Sequence, residues 1–165
     1  MKLIGLGSNL SSPTLGPPAA VVRAALARLE SAGLNVASAS RLYETAPVPA
    51  SDQPWYVNAV AAVETGLTAR EALAACMAIE AEFGRIRGAR NAARILDLDV
   101  LAWDDQVIAE PDLLVPHPRL AERAFVLLPL ADVAPGWRHP GTGETMAEML
   151  AKLPSDQQIR PLGPA

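Results

Sequence analysis

The sequence predicts an α+β protein with the ferredoxin-like sandwich fold, in which a mainly antiparallel sheet has its helices packed on one face. Three observations lead to this prediction. The chain has 165 residues, of which 50% are hydrophobic and 19% charged, so it can bury one continuous core, and we expect a single domain over 1–165. Hydrophobic periodicity changes along the chain in the order strand, helix, two strands, helix, strand. That βαββαβ order is typical of the ferredoxin-like sandwich.

The first half of the chain supplies four of these elements. Lys2 to Leu6 is a mostly apolar run before a glycine, which predicts a buried strand. A helix is predicted from Pro18 to Leu29, because apolar residues recur there every three or four positions and a proline pair lies at its start. Asn35 to Thr45 predicts one strand, and Trp55 to Thr65 predicts a second, longer one. Between them, Ala46 to Pro54 holds three prolines and predicts an irregular loop.

The second helix and the next strand follow in the same way. Thr68 precedes Glu71 by three residues, which is the spacing of a helix capping box, and the helical period then continues to about Phe83. Gly84 is expected to end this helix. Ile95 to Trp103 reads ILDLDVLAW, which predicts a strand.

The remaining residues are expected to add to this core. Leu120 to Arg123 predicts a helical turn, and Phe125 to Leu130 predicts an apolar strand that ends near Pro129. Glu110 to Pro118 is interrupted by prolines and carries no predicted element. Thr145 to Leu153 predicts a last amphipathic stretch.

Composition narrows the classes of function. The chain has 14 basic and 18 acidic residues, a net charge of -4, which argues against a protein that binds nucleic acid through excess positive charge. The apolar run at the N-terminus is too short for a signal peptide or a membrane span. Cys76 is the single cysteine, so an intramolecular disulfide and a cysteine zinc site are excluded. We therefore expect a cytoplasmic monomer that binds neither nucleic acid nor a membrane, with Cys76 buried on a helix.

Two acidic residues on the ILDLDVLAW strand are the most informative part of the sequence. Side chains alternate along a strand, so Asp97 and Asp99 point to the same face with Cα atoms about 6.6 Å apart. The leucines on either side of Asp97 point to the other face, which we expect to pack on the helices. This places two carboxylates on the open face of a central strand. Like charges this close call for a cation, and Mg²⁺ prefers carboxylate oxygens. The alternative is an exposed strand whose outer face happens to be acidic.

Arginines precede this strand, and a histidine follows it. Arg85, Arg94 and two further arginines lie within ten residues of chain without an intervening acid, which beside a pair of carboxylates favours a phosphate clamp over a solvated loop. His117 lies between two prolines and is followed by Arg119 and Arg123, so it is a candidate hydrogen-bond donor to a phosphate. The alternative is a structural role, which is the usual one for a single histidine. Near the N-terminus, GLGSN matches neither a Walker A motif nor GxGxxG and gives only weak support for a phosphate loop.

Taken together, the motifs resemble one enzyme family. GLGSNL, YETAPV, QPWYVNAV, EAEFGRIR, RILDLDVL, VPHPRLAERAFVLLPL and ADVAP resemble the 6-hydroxymethyl-7,8-dihydropterin pyrophosphokinase family of folate biosynthesis, over roughly residues 1–137. The resemblance implies a ferredoxin-like fold, ATP as the donor, two Mg²⁺ ions, and transfer of a pyrophosphoryl group to the pterin hydroxymethyl with release of AMP.

The resemblance also implies roles for individual residues. Asp97 and Asp99 match the pair of aspartates that bridges the two Mg²⁺ ions in this family. Together with Arg85 and Arg94 they form the expected catalytic set. The residues expected to bind ATP are Glu80, Arg85, Arg94, His117 and Arg123. The residues expected to form the pterin pocket are Thr45, Val48, Tyr56, Asn58 and Phe125.

Two other classes of function remain open from the residues alone. A ferredoxin-like binding or regulatory module without catalysis would suit the same fold. A nucleotidyl or γ-phosphoryl transferase could use the same Mg²⁺ platform. The nucleotide product separates the three classes: AMP indicates pyrophosphoryl transfer, ADP a simple kinase, and neither a binding module.

Overall fold

A computed structural model of the chain describes residues 1–84 and 93–163 and shows one large sheet with helices on both of its faces. The strands and helices occur in the order β1 Lys2–Ser8, α1 Pro18–Ser31, β2 Asn35–Ala39, β3 Leu42–Thr45, β4 Tyr56–Glu64, α2 Ala69–Glu82, β5 Asp97–Trp103, β6 Ile108–Glu110, β7 Leu113–Val115, α3 Ala124–Val133, α4 Met146–Ala151 and β8 Ile159–Gly163, with a 3₁₀ turn at Leu120–Glu122 before α3.

The main sheet has six strands in the order β5-β1-β4-β3-β8, and β2 also pairs with β4. All of these pairings are antiparallel. The strand predicted over Asn35 to Thr45 is therefore two strands, β2 and β3, which follow one another along β4. The break has a local cause: the Ser40 hydroxyl accepts a hydrogen bond from the Val60 amide at 3.0 Å, in the place of a backbone carbonyl.

Helices α1 and α2 pack on one face of this sheet, which confirms the ferredoxin-like arrangement. Their apolar residues meet alternate residues of β1, β4 and β5 in one cluster that includes Ile4, Leu6, Val22, Ala61, Cys76, Ile79, Leu98 and Val100. The predicted start of α2 is confirmed, because the Thr68 and Glu71 side chains each accept a hydrogen bond from the other residue's backbone amide. Cys76 is buried on α2 as predicted.

The strand predicted over Phe125 to Leu130 is wrong: these residues form α3. Proline argues against a helix because it removes a backbone donor, and Pro129 lies inside this one. The burial of Leu127 and Leu130 against Val60 and its neighbours on the second face of the sheet outweighs that cost. Helix α4 covers α3 in turn, so α3 is apolar on most sides and its sequence lacks a clear helical period.

Two further features differ from the prediction. Strand β5 lies at an edge of the sheet and is not central, since β1 is the single strand that pairs with it within residues 1–84 and 93–163. The proline-interrupted segment Glu110 to Pro118 contains part of a short hairpin, β6 and β7, which Arg70 of α2 anchors through ion pairs with Glu110 and Asp112. Among the helices that the structure describes, none has the length and apolarity needed to cross a membrane.

Candidate active site

A cleft of about 520 Å³ opens on the second face of the sheet, beside the part that α3 covers. Its walls come from β1, the β3–β4 loop, β4, β5 and the segment from His117 to α3. The predicted site residues that line it are Thr45, Val48, Tyr56, Asn58, Arg94, Asp97, Asp99, His117, Arg123 and Phe125. Arg85 lies outside the described residues. Because residues distant in sequence converge here, the cleft is the candidate active site.

One end of the cleft, the acidic end, is formed by Asp97 and Asp99 on β5. Both carboxylates face the cleft while Leu98 between them packs among the helices, as the alternation predicted. On the neighbouring strand, Gly7 pairs with Asp97 and Gly5 with Asp99, so no side chain on β1 covers the carboxylates. The two acidic groups are therefore accessible from the cleft.

The two carboxyl groups of the acidic end influence each other's ionisation. Burial, and next the negative charge of Asp97, raise the pKa of Asp99 to about 7, while Arg123 and Arg94 oppose the rise. The Arg94 guanidinium forms an ion pair with Asp97 at 3.0 Å. Burial is therefore the main reason why the Asp99 carboxyl resists ionisation, and the charge of Asp97 adds to it.

Arg123 lines the cleft close enough to both carboxylates to interact with their charges, and its guanidinium lies 5.3 Å from the centre of the Phe125 ring. Burial, and then the nearby Arg119, lower the pKa of Arg123, and the two aspartates oppose this shift. Of the residues that the structure describes, none forms an ion pair with Arg123. A half-buried guanidinium without an ion-pair partner is suited to bind an anion that enters the cleft.

His117 is fixed at the same end by two hydrogen bonds. Its backbone amide donates to the Leu101 carbonyl of β5 at 2.8 Å, and its Nδ1 accepts from the Arg119 amide at 3.1 Å. Burial, and next the positive charge of Arg123, lower the pKa of His117 to about 4. The ring is therefore neutral at pH 7, and because Nδ1 accepts, the proton is on Nε2. His117 can donate one hydrogen bond to a ligand without adding charge.

The opposite end of the cleft, the amide end, is built around Asn58 on β4. Asn58 is buried and donates a hydrogen bond to the Thr45 hydroxyl at 2.7 Å. Gly7 pairs with it on β1, where a Cβ atom would lie only 2.7 Å from Asn58 Oδ1, so only glycine leaves room for the amide. Tyr56 and Phe125 supply aromatic surface nearby. A flat ring with polar edges would match these walls.

Glu80 occupies a different place from the other predicted site residues. It is buried on α2, outside the cleft lining, and its Oε2 accepts a hydrogen bond from the Leu98 amide at 2.9 Å. That contact holds α2 against β5 at the residue between the two aspartates. The role predicted for Glu80 in binding the nucleotide stays a prediction.

The structure adds contacts of Asn9, in the GLGSN segment, that sequence reasoning missed. Asn9 is buried: its Oδ1 accepts from the Arg94 amide at 2.8 Å, and its Nδ2 donates to Gln53 Oε1 and the Pro54 carbonyl, both at 3.2 Å. Asn9 therefore links the Arg94 backbone, just before β5, to the β3–β4 loop. Its position after the first strand was visible in GLGSN, but its partners are far away in the sequence.

Comparisons with known proteins give a consistent result. The family profile for 7,8-dihydro-6-hydroxymethylpterin-pyrophosphokinase (HPPK) matches residues 3–135. A relative from Methylorubrum extorquens is 41% identical over 151 residues, which cover 91% of both chains. One from Pseudomonas aeruginosa is 44% identical over 151 residues, covering 92% of this chain and 90% of the relative. Both carry the name 2-amino-4-hydroxy-6-hydroxymethyldihydropteridine pyrophosphokinase.

A solved structure extends the comparison to the fold. The crystal structure of wild-type HPPK-DHPS from Plasmodium falciparum matches with a TM-score of 0.71 at 15% identity. The match covers 92% of this chain but only 44% of the Plasmodium chain, so it concerns the fold of one part of that protein. The family profile covers residues 3–135, and the two bacterial relatives match over at least 90% of both chains. This chain therefore belongs to the 7,8-dihydro-6-hydroxymethylpterin-pyrophosphokinase family.

Proposed function

We propose that the protein transfers a pyrophosphoryl group from ATP to the hydroxymethyl group of 6-hydroxymethyl-7,8-dihydropterin, with release of AMP, as a step of folate biosynthesis. The observation that carries this proposal is the two-ended cleft. Phosphate-binding groups at the acidic end face a pocket suited to a polar aromatic ring at the amide end. Family membership and the names of the relatives support the same reaction.

We propose that the acidic end holds the two Mg²⁺ ions that the resemblance implies. Among the residues described, no group of three or more His, Cys, Asp or Glu side chains could hold a metal ion alone. Two carboxylates that supply only part of a coordination shell are typical of Mg²⁺ sites, where phosphate oxygens and water supply the rest. A bound cation would also favour the ionised form of Asp99, whose pKa is raised by burial and next by the charge of Asp97. When bound, the ions would offset the negative charge of the ATP phosphates and of the transition state.

Three side chains would hold the phosphates from the protein side. Arg123 would pair with phosphate oxygens, and the neutral His117 would donate from Nε2. Arg94 is paired with Asp97 at 3.0 Å, and a guanidinium has donors enough to bind a phosphate from that position. These groups are held by the backbone contacts of their segments, so they favour one orientation of the phosphates.

The amide end would place the acceptor. The pterin ring would lie against Tyr56 and Phe125, with its polar edge toward Asn58 and Thr45 and with Val48 on the loop above. This arrangement would bring the hydroxymethyl group toward the β-phosphorus. Its oxygen would attack in line and lose its proton to solvent, while the bond between the β-phosphorus and the bridging oxygen of AMP would break and AMP would leave on the opposite side. Positioning and charge compensation supply most of the rate in such reactions.

The nucleotide product distinguishes pyrophosphoryl transfer from γ-phosphoryl transfer and from a binding module without catalysis. Incubation with ATP, Mg²⁺ and 6-hydroxymethyl-7,8-dihydropterin is expected to give AMP and the pterin diphosphate in equal amounts, measured by chromatography. A reaction without the pterin is the control and should give little AMP. Formation of ADP would indicate γ-phosphoryl transfer, and unchanged ATP would indicate a binding module.

The amide end can be tested separately. Asn58→Ala removes a buried hydrogen-bonding group from the pocket, so we expect pterin binding to weaken by about 1 to 3 kcal/mol with little change for ATP. Isothermal titration of each ligand measures this, and Asn35→Ala on β2, an exposed strand asparagine, is the matched control. An equal loss for both ligands would mean that Asn58 supports the fold instead of the pocket.

We also propose that the chain acts as a single-domain cytoplasmic monomer without nucleic-acid or membrane partners. The large sheet contains strands from residue 2 to residue 163, which supports one domain. The net charge of -4 supports the absence of a nucleic-acid partner.

A further inference from the structure

The C-terminal segment lies beyond the residues that match the family profile, yet it pairs with a strand whose end lines the cleft. The match ends at residue 135, whereas β8 follows at Ile159–Gly163 and pairs with β3. Ile159 lies opposite Thr45 in this pairing, and the Gln158 carbonyl accepts a hydrogen bond from the Ala46 amide at 3.1 Å. The segment is therefore attached to the strand and loop that form one wall of the cleft.

Gln157, just before β8, spans the backbone on either side of Arg123. Its Oε1 accepts from the Ala124 amide, and its Nε2 donates to the Glu122 carbonyl, both at 2.8 Å. Ala124 is the first residue of α3, and its amide is one of the helix donors that lack a partner within the helix. Arg123 precedes it as the cap residue and provides no side-chain cap of its own. One side-chain amide thus satisfies both backbone groups that flank Arg123.

These two hydrogen bonds matter because the position of the Arg123 side chain depends on the backbone on either side of it. Its backbone is extended, with φ -112° and ψ 115°, where the 3₁₀ turn passes into α3. The direction of its side chain toward the acidic end depends on how the turn and the helix are joined. A displacement of about 1 Å in a group that contacts a reacting phosphate can reduce the rate about a hundredfold.

We propose that Gln157 is a positioning residue that holds Arg123 at the acidic end of the cleft. The proposal rests on the proposed function only in that Arg123 contacts ATP phosphates. It assigns the C-terminal segment a part in nucleotide binding, through two hydrogen bonds to the backbone beside Arg123. Gln157 itself does not contact the substrate.

The test is a double-mutant cycle on the full chain. Gln157→Met keeps the length of the side chain and removes both hydrogen bonds, and Arg123→Met removes the guanidinium while keeping the stem over Phe125. The matched control is Gln158→Met, because Gln158 is exposed and its side chain makes no hydrogen bond within the described part of the chain. Turnover, melting temperature and the affinity for Mg²⁺ with α,β-methylene-ATP are measured for each variant.

We expect Gln157→Met to lower turnover and analogue affinity about tenfold, with a fall in melting temperature below about 5 °C, and Gln158→Met to leave all three unchanged. The variant with both Gln157→Met and Arg123→Met should be no worse than Arg123→Met alone. Losses that multiply, or a Gln157→Met variant equal to the control, would overturn the proposal. Wild-type protein that forms no AMP would instead remove the proposed function, while the affinity cycle would still decide the role of Gln157.

Discussion

Replacing either Asp97 or Asp99 with alanine is expected to lower turnover by about a thousandfold or more, because in the proposed function each carboxylate would supply part of one shared cation site. The two residues face the same cleft from adjacent positions on one face of β5, and the pKa of Asp99 responds to the charge of Asp97. Residues that act as a unit give losses that do not add. The double variant should therefore be scarcely worse than either single variant.

The measurement is AMP formation by wild type, both single variants and the double variant over a Mg²⁺ titration. Asp105→Ala is the matched control, since Asp105 is an exposed aspartate in the turn after β5 and outside the cleft. Its turnover should equal that of wild type. If the losses of the two single variants added, or if wild-type activity persisted in excess chelator, the paired carboxylates would not be the metal platform.

Elements that depend on local contacts were predictable from the sequence, whereas elements that depend on distant contacts were not. The start of α2 was predictable because Thr68 and Glu71 form hydrogen bonds within one turn. Helix α3 was not, because it is buried between the sheet and α4 and its apolar residues show no helical period. Strand β8 depends on pairing with β3, more than a hundred residues earlier, and its own sequence, IRPLG, carries little strand pattern.

The candidate site shows the same division. The common face of Asp97 and Asp99 follows from the two-residue period of a strand, so the sequence alone predicted it. Asn9 and Gln157 bond to backbone groups 85 and 33 residues away, and no local pattern marks such contacts. The resemblance supplied the residues of the amide end, which composition and spacing had not singled out. These long-range polar contacts to the backbone therefore became apparent only in the structure.

The apo protein is expected to become less stable as the pH rises, through Asp99. The pKa of this carboxyl is about 7 in the folded chain, against 3.8 as its ordinary value. Between these values the folded state holds a proton that the unfolded state has lost, so the free energy of unfolding falls with increasing pH. The shift corresponds to roughly 2 to 4 kcal/mol between pH 4 and pH 8. Asp97 and Glu80 add to the effect, and Arg123 and Arg94 reduce it.

Other groups titrate in the same range, so a variant is needed to isolate Asp99. The pKa of His117 is lowered to about 4, which makes stability rise with pH between about 4 and 6.5 and opposes Asp99 there. The raised pKa of Cys76, about 12, keeps its thiol protonated throughout. Asp99→Asn preserves the shape of the side chain without its charge. Subtracting the stability of wild type from that of Asp99→Asn at each pH removes the contribution of His117.

Urea unfolding of both proteins in chelator at pH 4, 6 and 8 gives this difference. We expect Asp99→Asn to exceed wild type in stability by an amount that grows with pH and reaches roughly 2 to 4 kcal/mol at pH 8. Saturating Mg²⁺ at pH 8 should stabilise wild type more than the variant, because a bound cation favours the ionised carboxylate. A stability difference that is constant with pH would mean that Asp99 ionises as an ordinary surface acid and that burial beside Asp97 does not raise its pKa.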